Sequence, residues 1–321
     1  MSKTKLRRLA WHGCTVFVLI ALAWGLAHVT RRINYQWTWY RVPQYFIFHG
    51  EEAVFAPFDG EVRVEQGHPV TRLTLEHPGA EPSVMELSSL APTVRNGGLV
   101  REGDRLGARR VTRSGLLLNG LLVTLQLSVL SGMLSMVFGL AAGLARTARN
   151  PTLRTLSTLY VEAIRGTPLL VQIFIFYFFL GTVLQLTRMT AGVLALAVFA
   201  GAYVAEIVRA GVQSIGRGQM EAARSLGMGY LAAMRHVILP QAVQRVLPAL
   251  AGQFISLVKD SSLVSVIAIT DLTKAGREVI SNTFATFEIW FTVALLYLVL
   301  TFALSLLARY VERRLSVGEQ V

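Results

Sequence analysis

The sequence predicts an all-α polytopic membrane domain of about six transmembrane helices, with a small β-rich insert after the first helix. Its 321 residues are 53% hydrophobic and only 16% charged, and the mean hydropathy is +0.50. A soluble domain of this length needs less apolar surface to build its core. Most of that surface is therefore expected to face lipid, whereas short alternating stretches between residues 31 and 112 predict strands.

Stretches of roughly 17 to 25 mainly apolar residues mark the predicted membrane helices. They lie at 13–30, 115–144, 157–182, 190–213, 247–270 and 287–310. The third is expected to begin as an amphipathic elbow, because Asn150 and Pro151 start it and Glu162 and Arg165 precede the apolar run LLVQIFIFYFFL.

The first stretch is open to a second interpretation. A basic start, an apolar run and the sequence Ala21-Leu22-Ala23 are also typical of a cleaved signal peptide. The apolar run continues to Val29, which favours a retained helix.

Lysine and arginine predict the orientation, since short cytoplasmic loops carry an excess of both. One set of flanks is rich in them: Lys3, Lys5, Arg7, Arg8, Arg146, Arg149, Arg154, Arg217, Arg224, Arg235, Arg245, Arg309, Arg313 and Arg314. The opposite flanks carry Arg31, Arg32, Arg188, Lys274 and Arg277. We therefore expect a multi-pass protein of the cell inner membrane with both termini in the cytoplasm. The net charge of +12 follows from this topology rather than from nucleic-acid binding, because no single basic stripe occurs.

The insert at 31–112 is expected to lie in the periplasm and to form a small barrel or sandwich. Its stretches EVRV, RLTLEH and SVMELS alternate and are separated by Gly, Pro and Asp. Their order weakly resembles the barrel-sandwich hybrid fold of lipoyl domains and M23 peptidases, but the lysine of a lipoyl carrier is missing. The scattered residues His49, His68 and His77 form no metal-ligand pattern, so no metal site is predicted.

A charged segment between two apolar stretches carries the clearest functional signal. It reads EAARSLGMGYLAAMRHVILP from Glu221 to Pro240. Met220 to Ala233 is rich in helix formers, which predicts one short helix outside the bilayer. The pattern Glu-Ala-Ala, three residues, Gly, nine residues, then a β-branched residue, any residue, Leu and Pro resembles the EAA loop of ABC importer permeases. The matching residues are Glu221, Ala222, Ala223, Gly227, Val237, Leu239 and Pro240.

Longer matches extend this resemblance from Leu116 to Leu315. They are YVEAIRGTPLLVQIFIFYF at 160–178, GAYVAEIVRAGVQSIGRGQMEAARSLGM at 201–228, and LPQAVQRVLPALAGQFISLVKDSSLVSVIAITDLT at 239–273. The chain resembles the permease subunit of polar amino acid ABC importers, of the histidine/glutamine/arginine type and the MetI-like fold. The resemblance implies two copies of an ABC ATPase subunit docked on the EAA loop, a second permease chain in a homo- or heterodimer, and a periplasmic amino acid binding protein.

The chain carries no catalytic motif that would make it an enzyme. No G-x-x-x-x-G-K-[ST] sequence occurs, so ATP is expected to be bound by the partner subunit, and this chain needs no cofactor of its own. Ser261 and Ser262 stand beside Asp260, but no histidine follows Val111 except His236 in the EAA loop, which excludes a serine nucleophile with its base.

Polar residues within the apolar spans are costly and have two interpretations. In the first, Glu206 with Arg209 and Glu162 with Arg165 are stabilising pairs one helical turn apart. In the second, a translocation path for a zwitterionic substrate is bordered by Glu206, Gln253, Lys259 and Asp260.

The predicted organisation is a basic N-terminus and first helix at 1–30, the insert at 31–112, an ABC permease domain at 113–316 with its EAA loop at 217–245, and a tail at 317–321. The predicted function is import of a polar amino acid from a periplasmic binding protein. The alternative is an ABC-type envelope-sensing or remodelling protein in which the β-rich insert is the effector.

Overall fold

The computed structural model describes residues 35–65, 70–77, 81–90, 94–148 and 150–316, together with scattered positions from 11 to 32. The chain divides into two units, Met1–Arg41 and Val42–Val321. In the first unit every described position between 11 and 32 is helical. The predicted first span at 13–30 lies partly outside the described residues, and the predicted tail at 317–321 lies wholly outside them.

Nine helices follow the insert in the part of the chain that the structure describes. They are α1 (Leu116–Thr147), α2 (Pro151–Arg165), α3 (Leu169–Val183), α4 (Arg188–Ser214), α5 (Arg217–Ser225), α6 (Tyr230–Ala233), α7 (Leu239–Asp260), α8 (Leu272–Thr283) and α9 (Thr286–Ser316). π turns occur at Ile175–Leu180 and Met234–Ile238, and 3-10 turns at Trp39–Tyr45 and Ser261–Ile267.

Four helices of the described residues are long and apolar enough to cross a bilayer. They cover Leu116–Thr147, Arg188–Ser214, Tyr230–Ile267 and Thr286–Arg314. The pair α2 and α3 is a fifth candidate, but its two halves meet at an angle of 104°. The fifth predicted span therefore starts earlier in the chain than expected, because α6, a π turn and α7 run on without an interruption.

The predicted third span at 157–182 consists of two helices, and its expected elbow is formed by α2. Residues up to Arg165 belong to α2, whose first turn is capped by the Asn150 side chain accepting from the Thr152 and Leu153 amides. The chain then bends at Gly166, Thr167 and Pro168 before α3 begins. A residue before proline avoids the helical conformation, which explains the break at this position. The predicted elbow is thus a separate amphipathic helix.

Small residues bring α1 and α4 into close contact. A Cβ atom at position 143 would lie only 2.8 Å from the Ala205 carbonyl oxygen, so glycine is the residue that fits there. Gly139 likewise faces Val204, and Ser135 is buried beside it. These small residues on α1 therefore allow the two helices to pack closely, as in other membrane helix pairs.

The insert consists of two antiparallel sheets. Their strands are β1 (Ile47–Phe55), β2 (Gly60–Glu65), β3 (Thr71–Glu76), β4 (Ser83–Leu87), β5 (Ser89–Leu90), β6 (Gly98–Val100) and β7 (Arg105–Ser114). The first sheet has the order β1-β7-β5 and the second β4-β3-β2-β6. Leu73, Leu75, Leu87 and Leu106 are fully buried in the core that both sheets contribute to. The three alternating stretches EVRV, RLTLEH and SVMELS are predicted to be strands, and the structure confirms them as β2, β3 and β4.

Strands β1 and β7 connect the insert to the membrane domain. They pair from Ile47 opposite Ser114 to Phe55 opposite Arg105. Only Gly115 separates β7 from α1, and its amide donates to the Phe46 carbonyl at 2.7 Å. Across this pair the His49 ring nitrogen Nδ1 lies 3.0 Å from the Thr112 hydroxyl. His77 packs edge-on against Phe58, and His68 lies outside the described residues.

Candidate coupling segment and substrate path

The segment from Arg217 to Pro240, here called the coupling segment, contains two short helices rather than the single one predicted. Helix α5 ends because Gly227 adopts the left-handed conformation with a φ of +81°. Its amide donates to the Arg224 carbonyl, and the Met228 amide donates to that of Ala223. This is the usual glycine stop at a helix C-terminus, so the helix-forming residues beyond it start again as α6.

The motif residues divide into an inner and an outer set. Ala223 is buried, Val237 and Leu239 are half-buried, and Val237 packs with Met220 around Ile215 and Ile238. The outer set consists of the exposed residues Glu221, Ala222, Gly227 and Pro240. Pro240, the last residue of the coupling segment, lies in the first turn of α7, just after the π turn at Met234–Ile238.

Side-chain hydrogen bonds from α7 hold the coupling segment and the end of the preceding helix α4. The Gln241 side-chain amide donates to the Val237 carbonyl at 2.9 Å and to the Gln219 side-chain oxygen at 3.3 Å. The Arg245 guanidinium donates to the Ser214 carbonyl at 2.6 Å, where α4 ends. The base of the segment is therefore held in place while its outer face stays open.

Two leucines on the outer face of the coupling segment are largely exposed. Leu226 is 83% exposed and Leu231 is 81% exposed, on either side of the turn at Gly227. No side chain or backbone lies within 4 Å of where a Cβ of Gly227 or Gly229 would stand. An exposed apolar pair beside a flat glycine turn is a surface onto which a partner chain can pack closely.

A cluster of charges joins α1, α2 and α4 at the same end of the molecule. Glu206 accepts from Arg146 at 2.5 Å and also binds Arg209, and it lies 3.8 Å from Arg165. Arg146 also lies 3.8 Å from Glu162. The predicted pair of Glu206 with Arg209 is confirmed. Glu162 and Arg165, expected to pair with each other, bind Arg146 and Glu206 instead, because α2 lies across both longer helices.

The other three candidate path residues lie on α7. Gln253 borders an apolar cavity of about 520 Å³ between α1, α4, α7 and α9, together with Phe254 and Met133. Lys259 is exposed and Asp260 half-buried at the end of α7. Thus Glu206 belongs to the ionic cluster, whereas Gln253 faces a cavity.

A buried network around Asp271 was not predicted from the sequence. Its carboxylate accepts from the Thr273 and Lys274 amides and from the Tyr297 hydroxyl, and the Thr124 hydroxyl accepts from the Leu272 amide at 3.0 Å. Burial raises the pKa of Asp271, and the amide hydrogen bonds oppose this rise. An aspartate directly before Leu272, Ala275 and Val279 was the available signal for a capped helix.

Known proteins resemble this chain throughout the membrane domain. The probable glutamine ABC transporter permease protein GlnM of Bacillus subtilis is 45% identical over 200 residues, which are 62% of this chain and 93% of GlnM. The glutamine transport system permease protein GlnP of Escherichia coli K12 is 41% identical over 205 residues, or 63% of this chain and 94% of GlnP.

A solved structure shares the fold of this domain. It is the crystal structure of an amino acid ABC transporter with histidines, which is 42% identical and superposes with a TM-score of 0.58 over 62% of this chain and 94% of its own. The expected permease fold is confirmed by this likeness. Residues 135–317 match the family described as "Binding-protein-dependent transport system inner membrane component". The matched region contains the coupling segment, α4, α7 and α9, so the chain belongs to this family of multi-pass inner membrane permeases.

Proposed function

We propose that this chain is the permease subunit of an ATP-driven importer that moves a polar amino acid, with glutamine the first candidate, from a periplasmic binding protein into the cytoplasm. One observation carries the proposal. The outer face of the coupling segment is exposed, and it lies on a domain that is 41% to 45% identical to permeases named for glutamine. Leu226, Leu231 and the turn at Gly227 form the dock for an ATPase subunit.

The complete importer on this proposal contains two permease chains, identical or different, and two ATPase subunits that bind ATP. Both termini are cytoplasmic, the first span is retained as a sixth membrane helix, and the insert lies in the periplasm. The positive-inside distribution of lysine and arginine supports this orientation. The coupling segment then faces the cytoplasm, which is the side where ATP is available.

The substrate path on this proposal runs beside α7. Gln253, Lys259 and Asp260 border it, and Gln253 offers an amide that can both donate and accept beside an apolar cavity. Glu206 already holds three guanidinium groups. We therefore assign Glu206 to the cytoplasmic end of the path, where it positions α1, α2 and α4 against each other.

Reconstituted uptake tests the proposal. The permease, its ATPase and its binding protein are placed in proteoliposomes, and ATP-dependent uptake of a labelled amino acid panel is measured. We expect uptake of glutamine or another polar amino acid, and loss of that uptake with weakened ATPase binding in Glu221→Lys. The same charge reversal at the exposed Glu86 of the insert serves as the control.

Two outcomes would contradict the proposal. Normal uptake and ATPase binding in Glu221→Lys would show that the coupling segment is not the dock. ATP hydrolysis without movement of any amino acid would instead support the envelope-sensing alternative.

A further inference from the structure

A second cavity lies beneath the coupling segment and has a different character from the first. Its volume is about 320 Å³, and it lies where the ends of α1 and α4 meet the beginnings of α2 and α5. Three arginines line it: Arg146, Arg154 and Arg217. None of the described residues that line it is an aspartate or a glutamate.

The positive charge of this cavity is only partly neutralised. Arg146 is bound by Glu206 at 2.5 Å and lies 3.8 Å from Glu162. Arg154 and Arg217 are exposed, and neither forms an ion pair with any of the described residues. Two guanidinium groups therefore stand at the cavity with no carboxylate to bind, which favours an anionic ligand.

The remaining surroundings favour a ligand that is anionic at one end and apolar at the other. Apolar side chains, among them Ile215, Met220 and Ile238, line the cavity between the arginines. Arg154 lies on the amphipathic helix α2, next to leucines that are 50% to 65% exposed: Leu153, Leu156 and Leu159. An amphipathic helix with exposed leucines and a basic side lies in the membrane interface, at the level of lipid headgroups.

We propose that this cavity binds the phosphate of an anionic phospholipid headgroup from the cytoplasmic leaflet. Arg154 and Arg217 hold the phosphate, Arg146 forms the inner wall, and the apolar lining contacts the glycerol and the first methylenes. The site joins the lipid to both α2 and the first residue of α5. Bound anionic lipid thus stabilises the coupling segment in the position that the ATPase binds. Binding is a property of this chain alone, so it is tested separately from transport.

Native mass spectrometry of the purified full chain in detergent tests the site. Phosphatidylglycerol and phosphatidylcholine with the same acyl chains are titrated, and the bound lipids are counted. We expect tighter binding of phosphatidylglycerol, and a roughly 30-fold loss in Arg154→Gln/Arg217→Gln, because each arginine near an anionic surface contributes about fivefold. The control is Arg224→Gln/Arg235→Gln, which removes the same charge from exposed arginines of the same segment outside the cavity. It should keep its preference.

A second measurement covers the case in which the double variant does not fold. Phosphatidylglycerol with a photoreactive headgroup is incorporated with the unaltered chain into nanodiscs and cross-linked, and the adducts are mapped. Adducts at residues 146–154 and 212–220 support the site, whereas adducts spread evenly over all basic flanks would overturn it.

Three further results would overturn the assignment. An equal loss of phosphatidylglycerol binding in the cavity variant and in the control variant would show that binding depends only on the net charge of the protein. Displacement of the lipid by excess inorganic phosphate, with phosphate binding as tightly, would identify a soluble anion as the ligand. Loss of the cross-link when the ATPase binds would assign the arginines to the protein interface instead of the bilayer.

Discussion

At the scale of single residues, Glu206 shows how one carboxylate can organise three helices. It binds Arg209 on its own helix, Arg146 of α1 and Arg165 of α2. The Arg165 guanidinium also lies 5.2 Å from the centre of the Tyr203 ring, so cation–π attraction adds to the ion pair. An isolated charge in this position would be costly, and the cluster removes that cost by pairing.

Removal of the Glu206 charge is expected to destabilise the membrane domain. In Glu206→Gln three guanidinium groups lose their shared partner, and we expect a loss of roughly 1–3 kcal/mol, less than for a fully buried pair because the site is partly exposed. The control is Glu162→Gln, whose side chain is 69% exposed and whose pair should contribute about 0–1 kcal/mol. Thermal unfolding of the two purified variants measures the difference, and equal melting temperatures would show that the cluster does not stabilise the fold.

A substitution at Gln253 can distinguish a role in the substrate path from a role in packing. In Gln253→Ala the cavity loses its amide, and we expect uptake to fall about tenfold or the amino acid preference to change, since a lost polar contact is worth about 1–3 kcal/mol. The melting temperature should stay near that of the unaltered chain. Gln244→Ala, an exposed glutamine on the same helix, is the control. A fall in uptake that merely follows a fall in protein yield would make Gln253 a packing residue.

At the scale of the elements, the coupling segment depends on a single glycine conformation. Gly227 has a φ of +81°, so alanine fits there sterically but must adopt the left-handed conformation. That conformation costs an L-residue roughly 1–2 kcal/mol. The two short helices α5 and α6 would then shift relative to each other, and with them the exposed leucines.

Gly227→Ala is therefore expected to weaken ATPase binding by roughly fivefold or more, the factor that corresponds to about 1 kcal/mol. Gly218→Ala is the matched control, because Gly218 lies within α5 with open space around it, and alanine is the better helix former there. The affinity of the ATPase subunit for each purified permease is the measurement. A weaker affinity in the control than in Gly227→Ala would rule out the conformational explanation.

At the scale of the whole molecule, the insert and the coupling segment are expected on opposite sides of the membrane. The test replaces Cys14, the one cysteine of the sequence, and introduces a new cysteine at Leu99 of the insert, which is 86% exposed, or at Gly218 of the coupling segment, which has open space around it. In intact cells a membrane-impermeant maleimide should label the position in the insert and not the one in the coupling segment. Labelling of both positions would refute the six-span topology.

The sequence by itself determined the membrane class, the permease family and the position of the coupling motif. These follow from local properties: apolar stretches long enough for a bilayer, the spacing of Glu221, Gly227 and Pro240, and the alternation that marks β2, β3 and β4. Local patterns also predicted the amphipathic elbow that begins at Asn150 and Pro151.

The tertiary structure alone decided which distant residues meet. The angle between α2 and α3, the sharing of Glu206 among three helices, and the pairing of β1 with β7 depend on segments that are far apart in the chain. The same holds for the cavity formed by Arg146, Arg154 and Arg217. In the sequence these arginines only mark cytoplasmic flanks, because a charge count does not contain the direction in which each helix leaves the membrane.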